Sequence, residues 1–311
     1  MGTMILALDF GGTKLSAALL ARGSTTWQDH RRAFSPPHPD AAQDLHTIIA
    51  LARALLGHEK PAAIGVSFGG PVDYQTGTVR LSHHVPGWEN LPLKTILETE
   101  FDAPTHVDND ANVAALGESR FGAGRGFSSM GYLTVSTGVG GGWILNGQPW
   151  RGANGMAGEI GHITIDPNGP LCLCGKRGCV ERLASGPYLA ADAREELLHS
   201  PLAAGEGLGG EGPLTAKQLA EAAAQGNAFA WKYLQRSAWA LGVGIGNAAN
   251  LLNPERFVLG GGVTKSGERY WAEIRRVARE TALPEVLFEV VPAELGDDAP
   301  LWGAVALTGL V

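Results

Sequence analysis

The three cysteines of this 311-residue chain lie within eight consecutive positions, as Cys172, Cys174 and Cys179, and His162 precedes the first of them by ten residues. One imidazole and three thiolates are a typical ligand set for tetrahedral zinc. Four protein ligands leave no position for a reactive water, so we expect a structural zinc site. A disulfide is disfavoured because the number of cysteines is odd and the chain is predicted to be cytoplasmic.

Two glutamates, Glu159 and Glu181, stand just outside these four residues in the sequence. A closed zinc site fixes the loop that carries it, and the flanking side chains are fixed with the loop. Recognition of sugar hydroxyls requires carboxylates that are held rigidly. The spacing therefore favours a zinc-supported sugar site over three unrelated buried thiols.

Glycine clusters that follow apolar, strand-like runs form a second group of candidates. Backbone N–H groups exposed by such glycines can bind phosphate oxygens. In "LDFGGTK" (8–14), Lys14 adds a positive charge, Thr13 adds a hydroxyl, and Asp9 could hold Mg²⁺ through water. "STGVGGG" (136–142) offers a similar loop with Thr137, and "LGGGV" (259–263) could hold a nucleoside. None of these is a Walker-type loop, but three in one chain favour phosphate binding.

A third candidate is "VDNDAN" (107–112), which places Asp108 and Asp110 at the start of a predicted helix. Capping of the helix is the simpler explanation for either aspartate. The helix dipole also keeps a carboxylate ionised at this position. Such a group can accept the proton of an attacking hydroxyl, so a general base is the alternative prediction.

The elements that would position these residues alternate between strand and helix. "MILALDF" (4–10) and "LSAALLA" (15–21) predict a hairpin, followed by a third strand within 25–34 and a helix over 41–57. The strand–glycine–strand pattern returns at 130–147, which predicts a duplicated α/β architecture. Helices are predicted at 215–226, 227–254, 267–283 and 301–311, and a strand at 286–291. Gly242, Gly246 and Asn250 share one face of the long helix, which allows close packing.

The composition is that of a soluble globular protein: hydrophobic residues make up 44%, charged residues 18%, and the net charge is −7. The negative balance argues against a nucleic-acid or membrane surface. The sequence has no signal-peptide pattern and no apolar run of membrane-spanning length. We therefore expect a cytoplasmic protein.

Together these motifs resemble those of the ROK family of bacterial sugar kinases and sugar-sensing repressors, over nearly the whole chain. The most specific match is to the family's zinc signature, which stands here as Gly161-His162 followed by "CLCGKRGCVE". Further matches are "LALDFGGTK", "TVSTGVGGG", "FVLGGGV", "AGEIGH" and "NDAN".

The resemblance implies an α/β, actin-like ATPase fold of the hexokinase superfamily, with two lobes, a central cleft for ATP and sugar, and a zinc-stabilised loop. Residues 1–107 with 298–311 would form the small lobe, with the closing helix packed on it. Residues 108–297 would form the large lobe. The family is usually dimeric or tetrameric, so we expect a homodimer or homotetramer.

Site residues carry over by motif, with Asp110 as the general base. The sugar would be bound by Gly70, Asn109, Asp110, Glu159, His162 and Glu181, and zinc by His162, Cys172, Cys174 and Cys179. The phosphates, Mg²⁺ and nucleotide would be bound by Asp9, Gly11, Gly12, Thr13, Lys14, Thr137, Gly138, Gly261 and Gly262.

Three positions depart from the family pattern. Gly69-Gly70 replaces a usual Pro-Gly, and His84 replaces a usual asparagine in "SHHVPGW" (82–88), on the side expected to bind sugar. Trp143 replaces a smaller aliphatic residue, which we expect to change packing only.

The leading interpretation is an ATP-dependent hexose kinase that converts glucose to glucose 6-phosphate. N-acetylglucosamine, N-acetylmannosamine, mannose and fructose remain alternative substrates, and polyphosphate an alternative donor. A repressor would need an N-terminal DNA-binding domain, for which a first strand starting at Ile5 leaves no room. A binding-only regulator would show damage at Asp9, Gly12, Asp110 or Glu181, and all four are present.

Overall fold

The computed structural model describes residues 3–12, 14–82, 85–199, 208 and 213–311. Its strands are β1 (Met4–Phe10), β2 (Lys14–Ala21), β3 (Asp29–Phe34), β4 (Ala63–Phe68), β5 (Val72–Asp73), β6 (Thr78–Val79), β7 (Thr105–Asn109), β8 (Met130–Val135), β9 (Val139–Leu145), β10 (Gln148–Pro149), β11 (Arg256–Gly260) and β12 (Glu289–Pro292). Its helices are α1 (Ala41–Leu56), α2 (Leu93–Phe101), α3 (Asp110–Phe121), α4 (Val180–Ala184), α5 (Gly186–His199), α6 (Ala216–Ala224), α7 (Ala228–Leu252), α8 (Glu268–Thr281) and α9 (Ala299–Leu307). The predicted α/β class is confirmed.

The helices begin and end where their terminal residues satisfy backbone groups. Asp40 caps α1 by accepting a hydrogen bond from the Gln43 N–H, and Gly57 ends the helix with a φ of 60°. Thr215 and Gln218 form a reciprocal capping box on α6. Asn227 caps the long helix α7. These ends follow the signals that the sequence carries.

The first sheet has the strand order β3-β2-β1-β4-β7. The hairpin strands pair antiparallel, whereas β1, β4 and β7 are parallel. The register aligns Asp9 with Ser67, and Ser67 with Asp108. The carboxyl ends of three neighbouring strands therefore carry polar side chains at the same level.

The second sheet has the order β10-β9-β8-β11-β12. Strands β8, β11 and β12 are parallel, and β10 pairs antiparallel with β9. The two sheets thus share one topology, a hairpin followed by parallel strands. This repeat confirms the duplicated α/β architecture predicted from the two glycine hairpins.

The chain divides into two compact units, one comprising Met1–Ser128, Gly142–Gly158 and Ala293–Val311, the other Ser129–Gly141 and Glu159–Pro292. In the first unit, α9 packs against α3 and β4. Close approach is possible because Gly303 lies against the backbone of Val113, and Gly65 lies against the backbone of Ala304. The first unit thus includes α3, whereas the lobe boundary after residue 107 stays a prediction.

Several predicted ends are corrected by the structure. The closing helix spans Ala299–Leu307 rather than 301–311, because Pro300 is tolerated in a first helical turn and Gly309 follows with a φ of 68°. The strand predicted at 286–291 is Glu289–Pro292. Trp143 is buried, as expected for a packing change. Thr13, His84 and the predicted loop at 200–212, apart from Leu208, lie outside the described residues.

In the second unit, α7 packs against α8 through its small residues. A Cβ atom at Gly242 would lie 2.6 Å from Val277 Cβ, and one at Gly246 would lie 2.5 Å from Thr281 Cβ. Asn250 completes the face by accepting a hydrogen bond from the Leu283 N–H and donating one to the Thr281 carbonyl. The close packing predicted for these three residues is confirmed.

Gly242→Ala is therefore expected to destabilise the protein by about 1–3 kcal/mol, because the added methyl group overpacks the contact between α7 and α8. Gly244→Ala is the matched control, since a Cβ there would lie 3.1 Å from the Val180 side chain and clear of α8. Equilibrium urea unfolding of both variants makes the measurement. Equal stability of the two would contradict the packing argument.

Candidate active site

A buried carboxylate, Asp9, lies at the end of β1 in the first unit. Its Oδ1 accepts a 2.8 Å hydrogen bond from the Ser67 hydroxyl on the neighbouring strand. Burial and, to a smaller extent, the nearby Asp110 carboxylate raise the pKa of Asp9 to about 7, although Ser67, Lys14 and Arg32 oppose the shift. Two carboxylates within electrostatic reach of each other in a buried setting suit a divalent cation such as Mg²⁺.

Asn109 and Asp110 form the start of α3. The Asn109 side-chain oxygen accepts hydrogen bonds from the Ala111 and Asn112 N–H groups, and its amide nitrogen donates to the Gly70 carbonyl at 3.1 Å. Asn109 is thus the N-cap, rather than Asp108 or Asp110, for which capping was the simpler explanation. Asp110 is left in the first turn, where the helix dipole favours its ionised form.

Gly69 lies between β1 and this helix start. Its N–H donates to the Phe10 carbonyl, and a Cβ at this position would lie 3.8 Å from Asp110 Oδ2. A proline here would remove that N–H donor. Glycine at position 69 therefore makes one backbone hydrogen bond, beside Asp110, that a proline could not make.

Asp108 has a structural role. Its Oδ2 pairs with Arg151 Nε at 2.6 Å, both side chains being largely buried, and its Oδ1 accepts from the Asn109 N–H. Arg151 also lies over the Tyr74 ring, 4.5 Å from its centroid. Sequence reasoning missed Arg151, because no motif marks a partner 43 residues away.

The glycine loop after β1 is closed by a hydrogen bond from the Gly11 N–H to the Lys14 carbonyl. The Lys14 ammonium pairs with Asp297 at 3.0 Å, and Arg32 on β3 pairs with Asp298 at 3.2 Å. The two aspartates precede α9, and no sequence motif marks them. In the described part of this loop, the Gly11 N–H is thus bonded within the loop and the Lys14 ammonium is paired with a carboxylate.

In the second unit, the turn between β8 and β9 holds Thr137 and Gly138. The Val139 N–H donates to Glu181 Oε2 at 2.9 Å. A Cβ at Gly138 would lie 2.7 Å from the same oxygen, so glycine is required for this contact. The structure thus brings Gly138 and Glu181, predicted for different ligands, into direct contact.

Gly261 and Gly262 follow β11 in the same unit. Gly261 has a φ of 95°, and a Cβ there would lie 2.4 Å from the Val135 carbonyl oxygen at the end of β8. A Cβ at Gly262 would meet no atom within 4 Å. The first glycine is needed for backbone packing, and the second leaves open space beside it.

The predicted zinc ligands converge. One ligand atom from each of His162, Cys172, Cys174 and Cys179 lies within 4.8 Å of the others. The Cys174 and Cys179 sulfurs are 3.6 Å apart, and Cys172 Sγ is 3.9 Å from His162 Nδ1. Tetrahedral zinc with Zn–S bonds of about 2.3 Å requires sulfurs about 3.8 Å apart. The four residues therefore fit a structural zinc ion.

The environment of the three thiols affects how readily each is deprotonated. Burial raises the pKa of the Cys172 thiol and raises that of Cys179 to about 12, whereas a backbone hydrogen bond from Lys176 lowers the pKa of Cys174. Three neighbouring thiolates are stable only with a bound cation, which binds them in their deprotonated form.

The zinc loop is supported by side chains that sequence reasoning missed. The Tyr188 hydroxyl accepts a hydrogen bond from the Leu173 N–H, and the Arg182 guanidinium lies over the Tyr188 ring. Arg182 also donates to the Leu171 carbonyl and makes a bidentate pair with Asp192, both N–O distances being 2.8 Å. These contacts fix the loop to α4 and α5.

Across the described residues, no helix combines the length and apolarity that crossing a membrane requires.

Comparison with known proteins identifies the relatives of the chain. The ROK family model matches residues 5–309. A glucokinase of Halalkalibacterium halodurans is 39% identical over 96% of this chain and 92% of its own length. An N-acetylmannosamine kinase of Shigella boydii is 34% identical over 97% of both chains.

Among solved structures, a ROK family glucokinase from Streptomyces griseus, crystallised with glucose and AMPPNP, superposes with a TM-score of 0.82. It is 34% identical to this chain, and the match covers 98% of each. The fold is thus the actin-like ATPase fold expected from the zinc signature and the glycine motifs, and the chain belongs to the ROK family.

Proposed function

We propose that this ROK-family protein transfers the terminal phosphoryl group of ATP to a hydroxyl of a hexose, with glucose as the substrate and glucose 6-phosphate as the product. The observation that carries the proposal is the position of Asp110 in the first turn of α3, within electrostatic reach of the buried Asp9. Phosphoryl transfer depends on positioned charge and an oriented hydroxyl, which these two carboxylates would supply. The named glucokinase relatives support glucose.

In this mechanism, Asp110 accepts the proton of the sugar hydroxyl as that hydroxyl attacks phosphorus. Asn109 caps α3 and thereby holds Asp110 in place. The side-chain amide nitrogen of Asn109 donates a hydrogen bond to the Gly70 carbonyl. Asp9 would hold Mg²⁺, which neutralises charge on the phosphates when it is bound. The sugar hydroxyls would be recognised by Gly70, Asn109, Glu159, His162 and Glu181.

The other predicted site residues would bind the phosphoryl donor and the zinc ion. Gly11, Gly12, Thr13, Lys14, Thr137 and Gly138 would bind phosphates, and Gly261 with Gly262 would bind the nucleoside. His162 Nδ1 faces Cys172, so the Nε2 edge of the ring would be available to a sugar hydroxyl while Nδ1 holds zinc. The AMPPNP bound by the Streptomyces griseus relative supports ATP as the donor. We further propose that the protein forms a homodimer or homotetramer.

A second candidate substrate is N-acetylmannosamine. It is favoured by one observation, the 34% identity to the Shigella boydii kinase named for that sugar.

ADP release from Mg-ATP over a panel of hexoses and N-acetylhexosamines tests the proposal. We expect the highest kcat/KM with glucose. Preference for N-acetylmannosamine would select the second candidate. If no sugar is phosphorylated although sugars raise the melting temperature, the protein binds sugars without acting as a kinase.

Asp110→Asn is expected to abolish turnover while largely preserving sugar affinity. General-base assistance contributes about 10²–10⁴ in rate, so kcat should fall by at least that range. Asp102→Asn is the control, because that side chain is 92% exposed in a surface ion pair. Undiminished turnover in Asp110→Asn would eliminate Asp110 as the base.

The raised pKa of Asp9 predicts that the free energy of unfolding depends on pH. Folded Asp9 keeps its proton up to about pH 7, whereas an unfolded aspartate loses it near pH 3.8. The folded state therefore binds more protons between these values, and its stability falls as the pH rises from about 4 through 7. In Mg²⁺-free protein, Asp9→Asn should raise the melting temperature more at pH 8 than at pH 5. An equal shift at both pH values would contradict the buried-carboxylate assignment.

Cys174→Ser is expected to release zinc and to weaken sugar binding, because the carboxylates beside the zinc loop lose their support. Metal content and sugar affinity are the measurements. Leu173→Ala, at a neighbouring exposed position, serves as the control. Unchanged sugar affinity in zinc-free protein would show that the zinc loop does not position the sugar.

A further inference from the structure

A small cavity in the first unit lies beneath the glycine loop. Gly11, Gly12 and Gly69 form one side of it. An aromatic cluster of Phe10, Phe68 and Trp88 forms the wall, with the Trp88 ring 4.7 Å from Phe68 and 5.4 Å from Phe10 between centroids. The cavity, of about 10 Å³, has room for one group of the size of a hydroxyl. We refer to it as the Asp44 cavity after its one acidic lining residue.

Asp44 lies on α1 and is only 3% exposed. Burial raises the pKa of the Asp44 carboxyl group, the neighbouring Trp88 side chain opposes that shift, and Asp44 Oδ1 has no hydrogen-bond partner among the described residues. The capping of α1 does not use this side chain, because Asp40 accepts the Gln43 N–H. A buried acceptor without a partner is costly, so such an atom in a lined cavity indicates a ligand that donates a hydrogen bond.

The chemistry of the cavity selects the class of donor. A phosphate oxygen carries negative charge and offers no proton, so a carboxylate in an aromatic enclosure would repel it. A sugar hydroxyl donates one hydrogen bond and presents apolar C–H groups to aromatic rings. Ser82 also lines the cavity, where its hydroxyl oxygen accepts a hydrogen bond from the Val85 N–H.

The cavity adjoins the candidate active site through Gly69. This glycine lines the cavity, and a Cβ on it would lie 3.8 Å from Asp110 Oδ2. A hexose whose reacting hydroxyl meets Asp110 would therefore bind next to the glycine that also lines the cavity. Asp44 carries no role in the mechanism above, and no sequence motif contains it.

We propose that Asp44 is a further sugar-recognition residue, whose Oδ1 accepts a hydrogen bond from a non-reacting hydroxyl of the hexose. This assignment rests on the proposed function, because it requires the sugar to bind beside Asp110. Asp44 then makes the enzyme selective for sugars that carry a free hydroxyl at that position.

The test compares the wild type, Asp44→Leu and Asp44→Asn with glucose and its monodeoxy analogues at the non-reacting positions. Asp44→Leu removes the acceptor at similar volume, so kcat/KM for glucose should fall about 10- to 100-fold, as expected for the loss of one hydrogen bond to a charged group. The KM for Mg-ATP should not change. For the one deoxy analogue that lacks the hydroxyl bound by Asp44, kcat/KM should be the same in the wild type and in Asp44→Leu.

Asp44→Asn keeps an acceptor oxygen and should lose less activity, which keeps the test valid if Asp44→Leu does not fold. Asp40→Asn removes one charge from the same helix and preserves its cap, so it is the matched control. A penalty of equal size for every analogue, or a parallel rise in the KM for Mg-ATP, would overturn the assignment and indicate a purely structural Asp44.

Failure of the proposed function is distinguishable from failure of this inference. If the wild type phosphorylates no hexose, the proposed kinase activity is wrong. The same variants and analogues are then compared by their sugar affinities, measured by thermal shift, instead of by kcat/KM. A wild type that is active, with analogue selectivity unchanged by Asp44→Leu, contradicts the role of Asp44 alone.

Discussion

The register between the parallel strands β1, β4 and β7 is the constraint on which the candidate site of the first unit depends. It sets Asp9 beside Ser67, and Ser67 beside Asp108. Both faces of this sheet are buried, one against α1 and the other against α9. A slip of one residue would exchange the two faces, so the apolar packing that holds the sheet also fixes the polar groups at its end.

Glycine lets these strand ends approach one another. At Gly69 and Gly138, a side chain would crowd the Phe10 carbonyl and the Glu181 carboxylate, respectively. Glu181 is thus held by the backbone N–H of Val139, whereas Asp9 is held by the side-chain hydroxyl of Ser67. The pKa of Asp9 is raised because burial disfavours the ionised carboxylate in the folded protein, and a bound cation would offset that effect.

Local signals in the sequence predicted much of the fold and of the site. Strand–glycine–strand patterns and helix caps depend on residues a few positions apart, and the four zinc ligands fall within one short segment. The ion pair of Arg151 with Asp108 and that of Lys14 with Asp297 join residues 43 and 283 positions apart. The Asp44 cavity likewise depends on tertiary packing. Such contacts leave no periodicity or spacing in the sequence, so reasoning from motifs could not find them.

The candidate zinc site and the two flanking glutamates are linked by short pieces of helix. Cys179 is the N-cap of α4, so the second residue of that helix, Glu181, takes its position from a candidate zinc ligand. Glu159 precedes a single 3₁₀ turn that ends at His162, whose N–H donates to the Glu159 carbonyl. Each glutamate is thus two or three residues from a ligand through hydrogen-bonded backbone. A zinc ion bound by the four candidate ligands would thereby fix the positions of both carboxylates.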